Sequence, residues 1–250
     1  MPSFQSDGLS LAYQSFGDGP AVLCIHGFAS SGKVNWIDTG WVETLVGAGY
    51  RPITFDNRGH GASRKLYDPN LYFAHDMAED ARGLMDHLEI ERCPVMGYSM
   101  GARITVALAL AHQDRMRSMI LGGMGYAMVE GMQGEDAIVA ALEAPSLDDV
   151  SGEPGRAYRK FAEQTGSDTL ALAACMRKAR QTFTPAELAT IHIPTLVAIG
   201  DKDRVAGSAE DLARLIPGAE VFIIPNRDHM LATGDQRYKN AVLAFLSTRP

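Results

Sequence analysis

The chain has 250 residues, of which 46% are hydrophobic and 21% charged, and its 23 basic and 30 acidic residues give a formal charge of −7. This balance argues against a nucleic-acid-binding protein, which needs a basic surface, and against a polybasic membrane anchor. A chain of this length and composition can bury one large hydrophobic core, so we expect a single domain with an inserted piece.

The cysteines and the N-terminal residues indicate the compartment. Cys24, Cys93 and Cys175 are odd in number and widely spaced, which predicts reduced thiols in the core. Residues 1–7 lack the positive and apolar regions of a secretory signal, and no apolar run reaches the roughly 18–20 residues that cross a bilayer. We therefore expect a cytoplasmic protein without membrane or nucleic-acid partners, as a monomer or a homodimer.

Strand and helix patterns alternate along most of the chain. Residues 3–6 and 9–16 flank Asp7-Gly8, a dipeptide typical of a tight hairpin turn. Short, continuous apolar runs follow at residues 21–25, 52–55, 94–96, 119–121, 195–199 and 221–224. Helical patterns lie near residues 41–48, 75–88, 100–112, 208–215 and 236–247. Strands that are apolar on both faces require a parallel sheet covered by helices on both sides, so the alternation predicts a doubly wound α/β fold.

The alternation is interrupted once, after the run that ends near residue 121. Only helical patterns appear there, near residues 135–143, 155–164, 168–180 and 185–190. We therefore expect residues 1–123 and 191–250 to form the α/β core. The helical insertion, 124–190, is long enough to cover one end of the sheet.

The segment Gly97-Tyr98-Ser99-Met100-Gly101 joins a predicted strand directly to a predicted helix. A Gly-x-Ser-x-Gly sequence in this setting is typical of a serine nucleophile on a sharp turn, where the two glycines let the neighbouring backbone pack closely. The alternative interpretation is a serine that only caps the helix. We take Ser99 as the candidate nucleophile.

A serine nucleophile needs a histidine base that is oriented by a carboxylate. Of the seven histidines, His229 lies on the loop after the last strand-like run, at the same end of the sheet as Ser99. Asp201 and Asp203 both follow the run at 195–199. We favour Asp203, which lies further out on its loop and can reach the histidine, while Asp201 can equally bond the backbone of its own turn.

The developing oxyanion needs two fixed N–H donors. The amide of Met100, immediately after Ser99, supplies one of them. His26-Gly27-Phe28 ends the first predicted parallel strand, and its glycine lets the backbone approach closely, so the Phe28 amide is the candidate second donor. Without Ser99, His26-Gly27 would be interpreted as an ordinary turn after a strand.

The order Ser99, Asp203, His229, with His26 and its glycine upstream, resembles the α/β-hydrolase superfamily over nearly the whole chain. The segment Asp-Asn-Arg-Gly-His-Gly-Ala-Ser at residues 56–63 is similar to one in the lipase, esterase and peroxidase-like members. The resemblance implies a mostly parallel eight-stranded sheet flanked by helices, with residues 124–190 as a small helical cap that lines the substrate pocket.

The resemblance also bears on individual residues. It implies that Asp56 and Arg58 are structural, and that a serine at position 99 disfavours the dehalogenase and epoxide-hydrolase branches, which carry aspartate there. Further candidates for the substrate pocket are drawn from strand ends and from the start of the insertion. They are His26, Ser30, Tyr98, Met124, Tyr126 and Met128.

These observations predict a serine hydrolase that cleaves a small or medium carboxylic ester, or a related acyl compound, through an acyl-enzyme intermediate. The chemistry requires no metal or organic cofactor, and no histidine and cysteine cluster with zinc-type spacing is present in the sequence. The alternatives are carbon–carbon bond hydrolysis, lactone opening, cofactor-free perhydrolysis and acyl transfer to an acceptor other than water. A small-molecule receptor on the same fold is the non-enzymatic alternative.

Overall fold

The computed structural model describes residues 1–248, and these residues contain one eight-stranded sheet. Its strands are β1 (Ser3–Ser6), β2 (Leu9–Ser15), β3 (Ala21–Ile25), β4 (Arg51–Phe55), β5 (Cys93–Tyr98), β6 (Met116–Gly122), β7 (Thr195–Gly200) and β8 (Glu220–Ile224). Their spatial order is β1-β2-β4-β3-β5-β6-β7-β8. The β1–β2 and β2–β4 pairs are antiparallel, and strands β3 to β8 are parallel. The predicted α/β class is thereby confirmed.

The carboxyl ends of the parallel strands lie level with one another. Ile25 at the end of β3 pairs with Phe55 of β4 on one side and with Gly97 of β5 on the other. At the far edge, Gly200 of β7 pairs with Ile224 of β8. Loops that are distant in sequence therefore leave the sheet at a common edge, where ligands bind in open parallel sheets.

Helices connect the strands and cover the sheet. They are α1 (Trp41–Gly47), α2 (Ala74–His87), α3 (Met100–His112), α4 (Ala127–Glu130), α5 (Glu135–Glu143), α6 (Gly155–Gln164), α7 (Thr169–Met176), α8 (Pro185–Leu188), α9 (Ala209–Ala213) and α10 (Gln236–Ser247). Helices α4 to α8 all lie between β6 and β7, and α7 ends four residues earlier than the sequence pattern predicts. In the described part of the chain, no helix combines the length and the hydropathy that a transmembrane span needs.

Each face of the central strands is covered by its own apolar cluster. Leu23 and Ile25 of β3 belong to the cluster that includes side chains of α2 and α3. Val22 and Cys24, which point to the opposite face, belong to the cluster that includes side chains of α1 and α10. Both faces exclude water, which explains why the strands are continuous apolar runs and do not alternate with polar residues.

The three cysteines are buried as separate thiols. Burial raises the pKa of the Cys93 and Cys175 thiols to about 12 and that of Cys24 further still. Since the thiolate is the reactive form, these side chains behave as small apolar core residues, as their spacing predicts.

Buried charged side chains support the loop that follows β4. Arg58 and Asp80 form a two-pronged ion pair, with Nε to Oδ2 at 2.7 Å and Nη2 to Oδ1 at 2.8 Å. Asp56 accepts hydrogen bonds from the amides of Gly32 (2.8 Å) and Ala62 (2.7 Å). Both Arg58 and Asp56 are therefore occupied by structural contacts that hold neighbouring loops together.

Two buried histidines, His26 and His60, pack against each other between the loops that follow β3 and β4. The Nδ1 of His26 donates to the Gly27 carbonyl at 2.7 Å, and its Nε2 accepts from the Asn57 amide at 2.9 Å, which requires a neutral ring. The ring of His60 packs 5.2 Å from that of His26. Burial lowers the pKa of His26 to about 4 and that of His60 to about 3.

These two histidines make the fold sensitive to acid. An unfolded histidine has a pKa near 6.5, so the unfolded chain binds more protons than the native one between about pH 6.5 and 4. The free energy of unfolding is therefore highest above that range and falls with decreasing pH, by up to about 1.4 kcal/mol per pH unit for each histidine.

The test compares His60→Gln with wild type by urea unfolding between pH 7 and 4.5. We expect a shallower fall in the free energy of unfolding for His60→Gln, because one proton-linked group has been removed. His75→Gln, at an exposed position, serves as the matched control and should keep the wild-type slope. Equal slopes for His60→Gln and wild type would contradict this account.

Candidate active site

Ser99 lies on the sharp turn between β5 and α3. Its backbone has φ 55° and ψ −112°, a conformation that non-glycine residues rarely adopt. The Ser99 amide donates to the Gly122 carbonyl of the neighbouring strand at 2.8 Å. A strained backbone of this kind persists only where the surrounding structure holds it in place.

The two glycines of the motif permit this turn. A Cβ atom on Gly97 would collide with the Gly101 carbonyl and lie 2.5 Å from the Thr105 hydroxyl. One on Gly101 would lie 2.7 Å from the Ile25 carbonyl carbon and 2.9 Å from the His26 oxygen. The strand, the turn and the helix therefore pack as closely as they do only because both positions lack a side chain.

Three side chains from different loops form a continuous hydrogen-bonded row. His229 Nε2 lies 3.0 Å from Ser99 Oγ, and His229 Nδ1 lies 2.7 Å from Asp203 Oδ2. The carboxylate can only accept, so Nδ1 carries the proton and Nε2 accepts from the serine hydroxyl. The side chain of Asp203 is fully buried, whereas 16% of the His229 side chain is exposed.

The two aspartates that are alternatives in the sequence are used differently. The second carboxylate oxygen of Asp203 accepts from the amides of Val205 (2.8 Å) and Ala206 (3.0 Å), which fixes its orientation toward the histidine. Asp201 is exposed and accepts from the Arg227 amide at 3.2 Å. In the structure, Asp203 contacts His229, and Asp201 stabilises the backbone of the two loops.

The loop that carries His229 is held from two sides. The Tyr98 hydroxyl donates to the His229 carbonyl at 2.5 Å, and the two rings lie 5.6 Å apart. Asp228 accepts from the amides of Met230 (3.1 Å) and Leu231 (2.8 Å). Tyr98 precedes Ser99 directly, so one strand end positions both the serine and the loop of the histidine.

The two predicted oxyanion donors belong to backbone beside Ser99. The Met100 amide lies in the first turn of α3, where N–H groups have no partner within the helix. Phe28 follows Gly27, and a Cβ on Gly27 would lie 3.5 Å from the Ser99 Cβ. The Gly27 amide itself donates to Asn35 Oδ1 at 3.0 Å.

A cavity of about 660 Å³ opens onto Ser99 and His229. Its walls are formed by the loop after β3, by the histidine loop and by one face of α6. The lining residues are Gly27, Phe28, Ser30, Val34, Asn35, Thr39, Tyr98, Ser99, Pro154, Ala157, Tyr158, Lys160, Phe161, Gln164, Val205, His229, Met230 and Thr233.

The predicted pocket residues divide into two groups. Ser30 and Tyr98 line the cavity. The other four do not line it, and the prediction for them is corrected; the side chains of three of them are used elsewhere. Met124 and Met128 are buried in the apolar core, the His26 ring bonds the backbone of the loops, and the half-buried Tyr126 precedes α4.

The cavity wall also contains residues that the sequence analysis missed. From the inserted segment, the wall is formed by α6 and not by the start of the segment, with Ala157, Tyr158 and Phe161 facing the cavity. Tyr158 and Phe161 are three residues apart, and Ala157 and Phe161 are four apart. This helical spacing of apolar residues is the signal that could have indicated a helix face. Asn35 lies in a π-helical turn, Lys33–Ile37, whose sequence carries no periodic pattern.

Within residues 1–248, no group of three or more histidine, cysteine, aspartate or glutamate side chains is arranged to hold a metal ion.

Comparisons with known proteins agree with this architecture. Residues 20–131 match a family model described as the alpha/beta hydrolase fold. The non-heme chloroperoxidase CPO-A1 of Kitasatospora aureofaciens is 26% identical, over 96% of this chain and 97% of its own. The putative carbamate hydrolase RutD of Pseudomonas syringae is also 26% identical, over 93% and 96%.

The fold comparison covers almost the entire chain. The crystal structure of a hydrolase from Pseudomonas aeruginosa superposes with a TM-score of 0.82 and 26% identity, covering 98% of this chain and 97% of the other. These similarities support the assignment of this chain as a hydrolase. The sheet order, the family match over residues 20–131 and the superposition together show that the chain has the α/β-hydrolase fold.

Proposed function

We propose that this protein is a serine hydrolase that cleaves small or medium carboxylic esters, or related acyl compounds, through an acyl-enzyme intermediate. The observation that carries the proposal is the row Asp203–His229–Ser99, with its two short hydrogen bonds, at the wall of a cavity. A serine at the end of such a row can lose its proton as it attacks a carbonyl carbon.

In the proposed reaction, each group of the row has one step. Ser99 Oγ attacks the carbonyl carbon while His229 Nε2 takes its proton, and Asp203 stabilises the imidazolium that forms. The amides of Phe28 and Met100 bind the oxyanion of the tetrahedral intermediate. His229 then protonates the leaving alcohol, and the acyl group stays on Ser99. A water molecule, deprotonated by His229, then attacks the acyl carbon; the bond from that carbon to Ser99 Oγ breaks, His229 returns the proton to Ser99, and the acid is released.

The cavity supports the proposed size and polarity of the acyl compound. Its volume of about 660 Å³ lies within the range of small-molecule sites. Phe28, Tyr158 and Phe161 contribute large aromatic surfaces, and Val34 and Met230 contribute aliphatic ones. An acyl chain of modest length with few polar groups fits such walls.

A carbamate is the second candidate substrate. The relative RutD, whose name describes it as a putative carbamate hydrolase, aligns with 93% of this chain. The same serine can attack a carbamate carbonyl, and the attack forms a tetrahedral intermediate with an oxyanion, as it does for an ester. The row of three side chains can therefore act on both classes of compound. A substrate panel therefore includes matched esters and carbamates.

Replacement of Ser99 tests the proposed nucleophile. Ser99→Ala should lower kcat for short-chain p-nitrophenyl esters by roughly 10⁴ to 10⁶-fold, because the nucleophile is lost. Release of p-nitrophenolate by purified protein measures it. Ser151→Ala, at an exposed position outside the cavity, is the matched control and should behave as wild type. Turnover of Ser99→Ala at the wild-type rate would refute the proposed function.

The second prediction separates the two aspartates. Asp203→Asn should lower kcat by roughly 10³ to 10⁴-fold, since an amide at this position cannot stabilise the imidazolium and favours the wrong tautomer. Asp201→Asn should change kcat less than about fivefold, because its hydrogen bond goes to backbone. Steady-state kinetics on one ester decide between them. A larger loss for Asp201→Asn would show that the orienting carboxylate has been misassigned.

A further inference from the structure

Asn35 is a buried polar residue next to the oxyanion loop, residues 26–30, that the proposed mechanism does not use. Only 5% of its surface is exposed, and it lies in the π-helical turn Lys33–Ile37 at the cavity wall. Its Oδ1 accepts the hydrogen bond from the Gly27 amide at 3.0 Å. Turns of this type are uncommon and occur frequently at functional sites.

We infer that Asn35 is a positioning residue that holds the His26-Gly27 peptide in place and thereby helps to set the orientation of the Phe28 amide that follows it. Gly27 is close to both groups, since its added Cβ would be 3.5 Å from the Ser99 Cβ and 3.6 Å from Asn35 Oδ1. Asn35 restrains the peptide before Gly27, and His26 Nδ1 binds the Gly27 carbonyl of the next peptide at 2.7 Å, so the two bonds together limit rotation of the Phe28 amide. The inference rests on the proposed function, because it assigns a role within that reaction.

Asn35 is itself held in place by a chain of hydrogen bonds. The backbone amide of Asn35 donates to the Ser31 carbonyl at 2.9 Å, and the backbone carbonyl of Asn35 accepts from the Thr39 hydroxyl at 2.6 Å. The Thr39 carbonyl accepts from Lys239 Nζ at 2.5 Å, and Lys239 is buried on α10. The oxyanion loop is thus tied to the helix that follows the histidine loop.

The Nδ2 group of Asn35 explains why a neutral residue is suited to this position. Asn35 Nδ2 is buried without a hydrogen-bond partner among the described residues. Buried donors without a partner are rare in native proteins. A carboxylate here would also accept from Gly27, but would place a negative charge beside the site of the oxyanion. The amide instead presents the positive end of a dipole, which favours the charge that develops on the substrate.

Two substitutions test this role with p-nitrophenyl acetate as the probe. Asn35→Ala removes the acceptor for the Gly27 amide and should lower kcat by roughly 10 to 100-fold, with KM within threefold of wild type. Asn35→Asp keeps the acceptor and the shape but adds a titratable carboxyl. Burial raises the pKa of that carboxyl above that of an exposed aspartate, so the neutral form is favoured at the acidic end of the assay range.

The decisive readout is the ratio of kcat for each of the two variants to kcat for wild type, measured at the same pH. The ratio for Asn35→Asp should be highest at low pH, where the carboxyl is neutral, and fall by about tenfold or more as it ionises next to the oxyanion. Because Asn35→Asp keeps the acceptor for the Gly27 amide, its ratio at low pH should exceed that of Asn35→Ala by about fivefold or more, whereas a residue that only stabilises the fold leaves kcat of both folded variants near wild type. Asn240→Asp, exposed on α10, is the matched charge control and should give a flat ratio.

The outcomes separate this inference from the proposed function. Wild type without Ser99-dependent turnover refutes the proposed function, and the inference fails with it. With an active wild type, a kcat for Asn35→Ala within threefold of wild type, or a kcat for Asn35→Asp at low pH no higher than that of Asn35→Ala, overturns the role of Asn35 alone. If Asn35→Ala does not fold, Asn35→Leu, which has a similar volume and no acceptor, takes its place in the same comparison.

Discussion

The backbone at Ser99 is the constraint on which the site depends. Its positive φ forces the chain from β5 into α3 within one residue, and it exists because Gly97 and Gly101 let a strand, a helix and the end of β3 meet without side chains between them. The same contact brings the His26-Gly27 segment beside the serine. A larger side chain at either glycine would separate all three elements, so the position of the serine and that of the oxyanion loop have a common cause.

Parallel strands bring the remaining groups to this turn. Ser99 and His229 are 130 residues apart in sequence, yet the strands that precede their loops end at one edge of the sheet. Rigid support lies directly behind each group: amides orient Asp203, the Tyr98 hydroxyl holds the His229 loop, and Asn35 holds the Gly27 amide. Such preorganisation lets hydrogen-bond donors and acceptors act on developing charge without first having to rearrange.

Sequence reasoning succeeds here where the signal is local. The apolar runs predict the strands because both sheet faces are buried, and the positions of Ser99, Asp203 and His229 follow from strand ends. It fails where the position depends on tertiary packing. Met124 follows a strand end as Ser99 does, but its side chain packs into the core. The cavity wall from the inserted segment depends on how α6 docks over the sheet, which no local pattern specifies, and Asn35 lies in an aperiodic turn.

The central claim is that the environment of Ser99 makes its hydroxyl nucleophilic. The most direct measurement is labelling of the folded protein with a fluorophosphonate, followed by intact-mass analysis and peptide mapping. An activated serine gives one adduct, on the peptide that contains Ser99, and the adduct is absent when alanine replaces that residue. No adduct, or an adduct on another residue, would contradict the account and favour a receptor that uses the cavity only for binding.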